Sequence, residues 1–462
     1  MAIPTDDRPE YQSRPELHPT KSFPSFKTIG EPPKTRMEKV LSHMADVRSG
    51  EGVGVLLLGF NVFILLFAYY LLKTAREALI LTEGGAVIKA YSSAGQAVLL
   101  MALVPIYGYI GTKVVRMKLL LGMLGFFILN LIGFSVLGSA GVRQGVAFFI
   151  WVGIFNVFVI SQVWAFANDI YTEGQGKRLF PLIGIGSSLG AWLGAQAAER
   201  MVNQFALGPY QLQLTAAVLL ALCGGILVAV NRQAARVAIP EVARHSEEKL
   251  GSQDGFAMIW GSRYLLLIAV LIVLLNVVNS SGEFLLSSLV QEQAQKQFAG
   301  DAAAQQRFIG GFYGSFFAGV NLLGFLLQAF AVSRIFKYVG VRQSLFILPS
   351  IALFSYSTLA FVPLLPLVRV AKTLENATDY SLQNTLRQTL FLPTSREAKY
   401  KAKAAIDTFF MRTGDVLQAG VVALGTSLQF AFSSFAWLNV LFTLAWLVVC
   451  AGLSREHRRM RF

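Results

Sequence analysis

Apolar residues in this chain are gathered into blocks of about 20 or more, the length an α-helix needs to cross ~30 Å of hydrocarbon at about 1.5 Å per residue. That grouping constrains the fold more than any other feature. The blocks run 53–82, 91–111, 117–138, 144–170, 178–203, 210–231, 263–290, 308–332, 343–362, 364–391, 402–427 and 430–453. Inside hydrocarbon a segment must satisfy its backbone polar groups without water, and helices do so by themselves. The expected fold class is therefore an all-α membrane protein of about twelve transmembrane helices. A composition of 54% hydrophobic and 14% charged residues fits this class.

The net charge of +14 is distributed by topology. Lys113, Arg116 and Lys118, then Lys177 and Arg178, then Arg232, Arg236, Arg244 and Lys249 occupy alternate connections. The second half repeats this with Arg334, Lys337 and Arg342, with Arg396, Lys399, Lys401 and Lys403, and with Arg455, Arg458, Arg459 and Arg461. The intervening connections hold only Lys89, Arg143, Lys296 and Arg307 as scattered exceptions. By the positive-inside rule both termini are cytoplasmic, which requires an even number of spans. Basic residues so placed orient helices, and nucleic acid is not expected as a partner.

Residues 1–52 read as a cytoplasmic tail, rich in Pro, Ser and Thr and carrying Asp6, Asp7, Glu10 and Glu16, so neither a signal nor a transit peptide is expected. Within it Met37, Val40, Leu41, Met44 and Val47 recur at helical spacing, which suits a short helix on the inner membrane surface. A polar linker at 233–262 separates six spans at 53–232 from six at 263–454, and 455–462 form a basic cytoplasmic tail. The halves echo each other: Asn61 and Asn276, then Glu77 and Glu283, fall at matching places in the first span of each. Two six-helix halves are the major-facilitator arrangement.

Charge inside a span is costly and points to function. Lys73, Arg76 and Glu77 share one face of the first span. They lie near its outer end, where long cationic stems can also reach the interface. The tenth span carries Lys372, Asn376, Asp379, Gln383 and Arg387 at steps of three or four, with Glu375 flanking this stripe. The eleventh adds Asp407, Arg412 and Asp415, and the two acids are close enough to neutralise the arginine. In the fifth span Gly186, Gly190 and Gly194 form a seam for close helix packing. No Walker A, CxxC or HExxH sequence occurs, and His18, His43, His245 and His457 all lie in tails or linkers. Neither an enzyme nor a cofactor or metal is expected, and any transport would run on gradients or exchange.

Three stretches carry a family resemblance: LKTAREALIL, WAFANDIYTEGQGKRLFPLIGIGSSLG and LFLPTSREAKYKAKAAIDTFFMRTGD. Through them the chain resembles the nucleotide transporter family typified by ATP/ADP translocases. The resemblance implies a multi-pass carrier of the cell's inner membrane that moves a nucleotide or related anionic metabolite by alternating access. It places the family's basic and acidic pair on Arg76 and Glu77 with Lys73 nearby, its acid after FAN on Asp169, and its eleventh-span arginine on Arg412. Where translocases of this family place a lysine three residues after that arginine, this chain has Asp415. The reversed charge favours a cargo less anionic than ATP or ADP. Expected substrate contacts are thus Lys73, Arg76, Lys372, Asn376 and Arg412. Expected gating or proton-coupling residues are Glu77, Asp169, Glu283, Glu375, Asp379, Asp407 and Asp415. The partners are the bilayer and a small anion, and the sequence leaves the oligomeric state open, a monomer being plausible. Two other readings stay open: a proton-coupled carrier of a non-nucleotide solute, and a scaffold or sensor whose intramembrane charges pair completely and leave no cavity.

Overall fold

The computed structural model describes residues 34–42, 45–111, 114, 116–237, 255–395 and 397–459. The tail before Lys34, the core of the linker and the basic residues Lys113, Arg244, Lys249, Arg396 and Arg461 lie outside the described residues. A short helix α1, Arg36–Leu41, is capped by Thr35 and Glu38. It stops well before Val47, so the expected surface helix is shorter than its apolar spacing suggested. The Glu38 carboxylate also accepts from the backbone N–H of Gly50 (2.8 Å), just ahead of the first long helix.

The long helices are α2 (Gly52–Glu83), α3 (Gly85–Gly111), α4 (Arg116–Ser139), α5 (Gly145–Ile170), α6 (Glu173–Asn203) and α7 (Pro209–Val237). After a short α8 (Gly255–Gly261) come α9 (Arg263–Gln297), α10 (Ala302–Tyr338), α11 (Val341–Phe361), α12 (365–390), α13 (398–427) and α14 (Phe432–Arg459). Among the described residues nine helices are long and apolar enough to cross a membrane. The other three long segments, α6, α12 and α13, hold the intramembrane charges or polar face that lower their hydropathy. The expected tail after residue 454 is helical through Arg459, where His457 meets the Tyr264 hydroxyl at 2.9 Å.

Packing follows the small and carboxamide residues. A Cβ at Gly186, Gly190 or Gly194 would collide with the backbone of Gly59, Phe63 or Phe67, so this seam lets α6 lie directly against α2. Asn61 donates to the Cys223 carbonyl (2.8 Å) and ties α2 to α7, while Asn439 donates to the Val278 carbonyl (3.1 Å) and ties α14 to α9. At the start of α6, Arg178 pairs with Glu51 at 2.9 Å. Burial pushes the Glu51 carboxyl up, but hydrogen bonds from Arg178, the Arg48 N–H and Gln175 outweigh it and hold the carboxyl below its ordinary value.

The first-half helices meet the second-half helices chiefly where α6 packs on α10 and α3 on α13, and also where α2 packs on α10 and α3 on α9. Gly314 lies against Glu199 so closely that a Cβ would clash, and the Asn321 amide donates to the Ala191 carbonyl (3.2 Å). Between α2 and α3 the chain turns at Gly85, whose φ of +78° favours glycine. There the N–H of Ala86 donates to the Gln291 side chain of α9 (2.9 Å).

Several helices contain a π-helical turn, including Asp379–Gln383 in α12 and Ile406–Phe410 in α13. Such a turn widens the ladder to i→i+5 and advances the following residues around the axis. That shift decides which side chains face the centre.

Candidate functional site

A cavity of about 240 Å³ lies where the halves meet. On the first-half wall α2 presents Lys73, Arg76 and Glu77, α3 presents Lys89 and Gln96, and α5 presents Phe149. Glu77 is 1% exposed and holds two cations, Arg76 at 2.5 Å and Lys89 at 2.6 Å. The Arg76 guanidinium also stacks 4.5 Å over Phe149. Lys89 reaches into the other half, donating to the Ser287 hydroxyl (2.7 Å), which itself bonds the Tyr313 hydroxyl (3.0 Å). Lys73 differs. Its ammonium sits over the rings of Phe317 (4.1 Å) and Tyr70 (5.4 Å), and among the described residues it has no carboxylate partner. Lys73 and Arg76 therefore face the interior rather than reaching outward to the interface.

The second-half wall is built from α9, α12 and α13. Asp415 accepts from Asn276 (2.9 Å) and Ser280 (3.0 Å) and faces Arg412 at 3.6 Å. Glu283 accepts from Asn376 (2.9 Å). Behind this wall Lys372 is fully buried, donating to the Asn279 side chain (2.7 Å) and lying 3.3 Å from Glu375 and 3.7 Å from Glu283. Glu375 in turn accepts from the Tyr356 hydroxyl at 2.5 Å. Every charge here has a polar partner, as burial demands.

Of the residues expected from the sequence, Lys73, Arg76, Glu77, Glu283, Asn376, Arg412 and Asp415 come together around the cavity. Lys372 and Glu375 lie one layer behind it, where they anchor α12 to α9 and α11. Asp407 pairs with Arg387 at 2.7 Å, away from the cavity. Asp169 is exposed at the end of α5. Asp379 does not line the cavity, whereas its neighbour Tyr380 does. Tyr380 lies four residues after Asn376 and continues its face, while Asp379, three residues after it, falls to the side; the π-helical turn Asp379–Gln383 then interrupts the ordinary period.

Lys89, Gln96, Tyr380 and Gln418 are among the lining residues that the sequence did not single out. Lys89 had the clearest signal, a lone cation in a connection otherwise poor in lysine and arginine. The helix α3 starts at Gly85 rather than at the expected residue 91, so Lys89 belongs to it.

Comparison with known proteins agrees with this architecture. The family described as TLC ATP/ADP transporter matches residues 146–365. ADP,ATP carrier protein 1 of Chlamydia pneumoniae is 22% identical over 352 residues, which is 67% of this chain and 66% of that protein. ADP,ATP carrier protein 4 of Rickettsia bellii (strain RML369-C) is 22% identical over 346 residues, 66% of this chain and 65% of that protein. The chloroplastic ADP,ATP carrier protein 1 of Arabidopsis thaliana is 22% identical over 351 residues, 68% of this chain and 54% of that protein. The chain thus spans 54% to 66% of the length of these carriers, less than two thirds of each. Among solved structures, the nucleoside transporter NupG superposes with a TM-score of 0.58 at 15% identity, covering 85% of this chain and 98% of that one. A POT family peptide transporter in complex with sulfate gives 0.60 at 13%, covering 90% and 99%. These likenesses show the fold alone, one that this chain shares with those transporters.

Proposed function

We infer that this chain, a multi-pass relative of the ATP/ADP-transporter family on a major-facilitator-type fold, moves a nucleotide or related anionic metabolite across the cell's inner membrane. In this reading it has twelve spans, both termini are cytoplasmic, and access alternates as the halves rock about the central cavity. One observation carries the proposal: a cavity of about 240 Å³ where the halves meet is walled by intramembrane cations, of which Lys73 has no carboxylate partner among the described residues. A scaffold or sensor would gain nothing from an unpaired cation beside a cavity. Arg412, Arg76, Lys73 and Asn376 would meet the cargo. Glu77, Glu283 and Asp415 would release those groups to it and take them back as the cavity opens and closes. Lys372 would act indirectly, by holding Glu283 and Asn279 in place.

Thiol accessibility tests alternating access directly, because both native cysteines, Cys223 and Cys450, are buried. With Ser93→Cys on the cavity wall, a membrane-impermeant maleimide should label the protein from either face of sealed, oriented vesicles. Labelling from one face only, under every ligand condition, would contradict alternating access.

A further inference from the structure

The cavity's charges nearly cancel. Arg76 and Lys89 share Glu77, Arg412 faces Asp415, and Lys372 stands between Glu283 and Glu375. With Lys73 added, five cationic side chains meet four carboxylates, a formal surplus of one positive charge. That charge belongs to Lys73, a compact ammonium between two rings. The two arginine forks, which suit bidentate phosphate binding, already face carboxylates within the protein. A polyphosphate placed here would meet Glu77, Glu283 and Asp415 as well as the cations.

The uncharged part of the wall suits a heterocycle. Tyr380 is 44% exposed, lines the cavity and stacks on no other ring among the described residues. The cavity's 240 Å³ is also below the ~300–1,000 Å³ usual for drug-sized ligands.

We propose that, within the nucleotide class assigned above, the site takes a compact solute with one heterocyclic base and a single negative charge, and selects against di- and triphosphates. Tyr380 stacks the base and Lys73 meets the charge. The inference rests on the nucleotide reading, and the experiment separates the two.

Binding of adenosine, cyclic AMP, AMP, ADP and ATP to the purified full-length protein is measured without divalent cations, so that the probes share adenine and differ in charge. Cyclic AMP, with one charge, should bind tightest, with affinity falling by about tenfold or more from AMP to ATP, equivalent to ~1.4 kcal/mol or more. Lys73→Gln should erase the preference of cyclic AMP over adenosine while adenosine still binds. ATP as the tightest ligand, or an unchanged preference in Lys73→Gln, would overturn the charge rule and leave the nucleotide reading standing. Failure of all five to bind the folded protein would overturn the nucleotide reading, and this inference with it.

Discussion

Glu77→Ala should destabilise the protein by about 3–5 kcal/mol, because it removes one carboxylate from two buried cations at once. Arg76 and Lys89 lie 2.5 Å and 2.6 Å from that carboxylate, and it is 1% exposed, so water cannot replace it. The expected readout is a large fall in thermal stability together with loss of transport. Adding Lys89→Met should recover part of the stability, since one orphaned charge is then removed, but not transport, since the link from Lys89 to Ser287 is gone. A single variant as stable as the parent would show that the cluster is hydrated and that the charge pairing described here is wrong.

Lys372→Ala should be of similar size, about 3–5 kcal/mol, for the opposite reason: it leaves Glu375 and Glu283 without their cation. The side chain is fully buried, so a cavity is created as well. Lys372→Met with Glu375→Gln should restore most of the stability, because replacing a whole buried pair is often close to neutral where breaking it is not. Chemical denaturation of the three proteins checks this. If the double variant is no more stable than the single one, the lysine contributes through Asn279 rather than through the carboxylates.

These two residues also mark what could be read in advance. Charge inside an apolar block is visible without a structure, and Lys73, Arg76, Glu77, Glu283, Arg412 and Asp415 were all found that way and all reach the cavity. Lys372 was visible for the same reason, but helical periodicity gives a stripe and not its neighbours. Only packing shows that Lys372 points at Asn279 and not into the open space. Lys89 sat at the edge of its apolar block and passed as a loop residue. Tyr380 follows Asn376 by four residues, one ordinary helical step, and was passed over because only charged and carboxamide residues marked the stripe. Gln96 and Gln418 carry no signal of their own, because single carboxamides in a span serve packing as often as binding. The seam of Gly186, Gly190 and Gly194 was legible because close approach requires small side chains.

The central claim is that the cavity carries a nucleotide-class solute across a bilayer. Its most direct test is flux into proteoliposomes holding the purified protein, with labelled adenine compounds from adenosine to ATP outside and the same unlabelled compound inside. The account predicts saturable uptake of at least one of them, faster when the lumen is preloaded and lost in Arg412→Ala, whose guanidinium lines the cavity. Uptake of every compound equal to that of protein-free liposomes, with the protein folded and inserted, would contradict it.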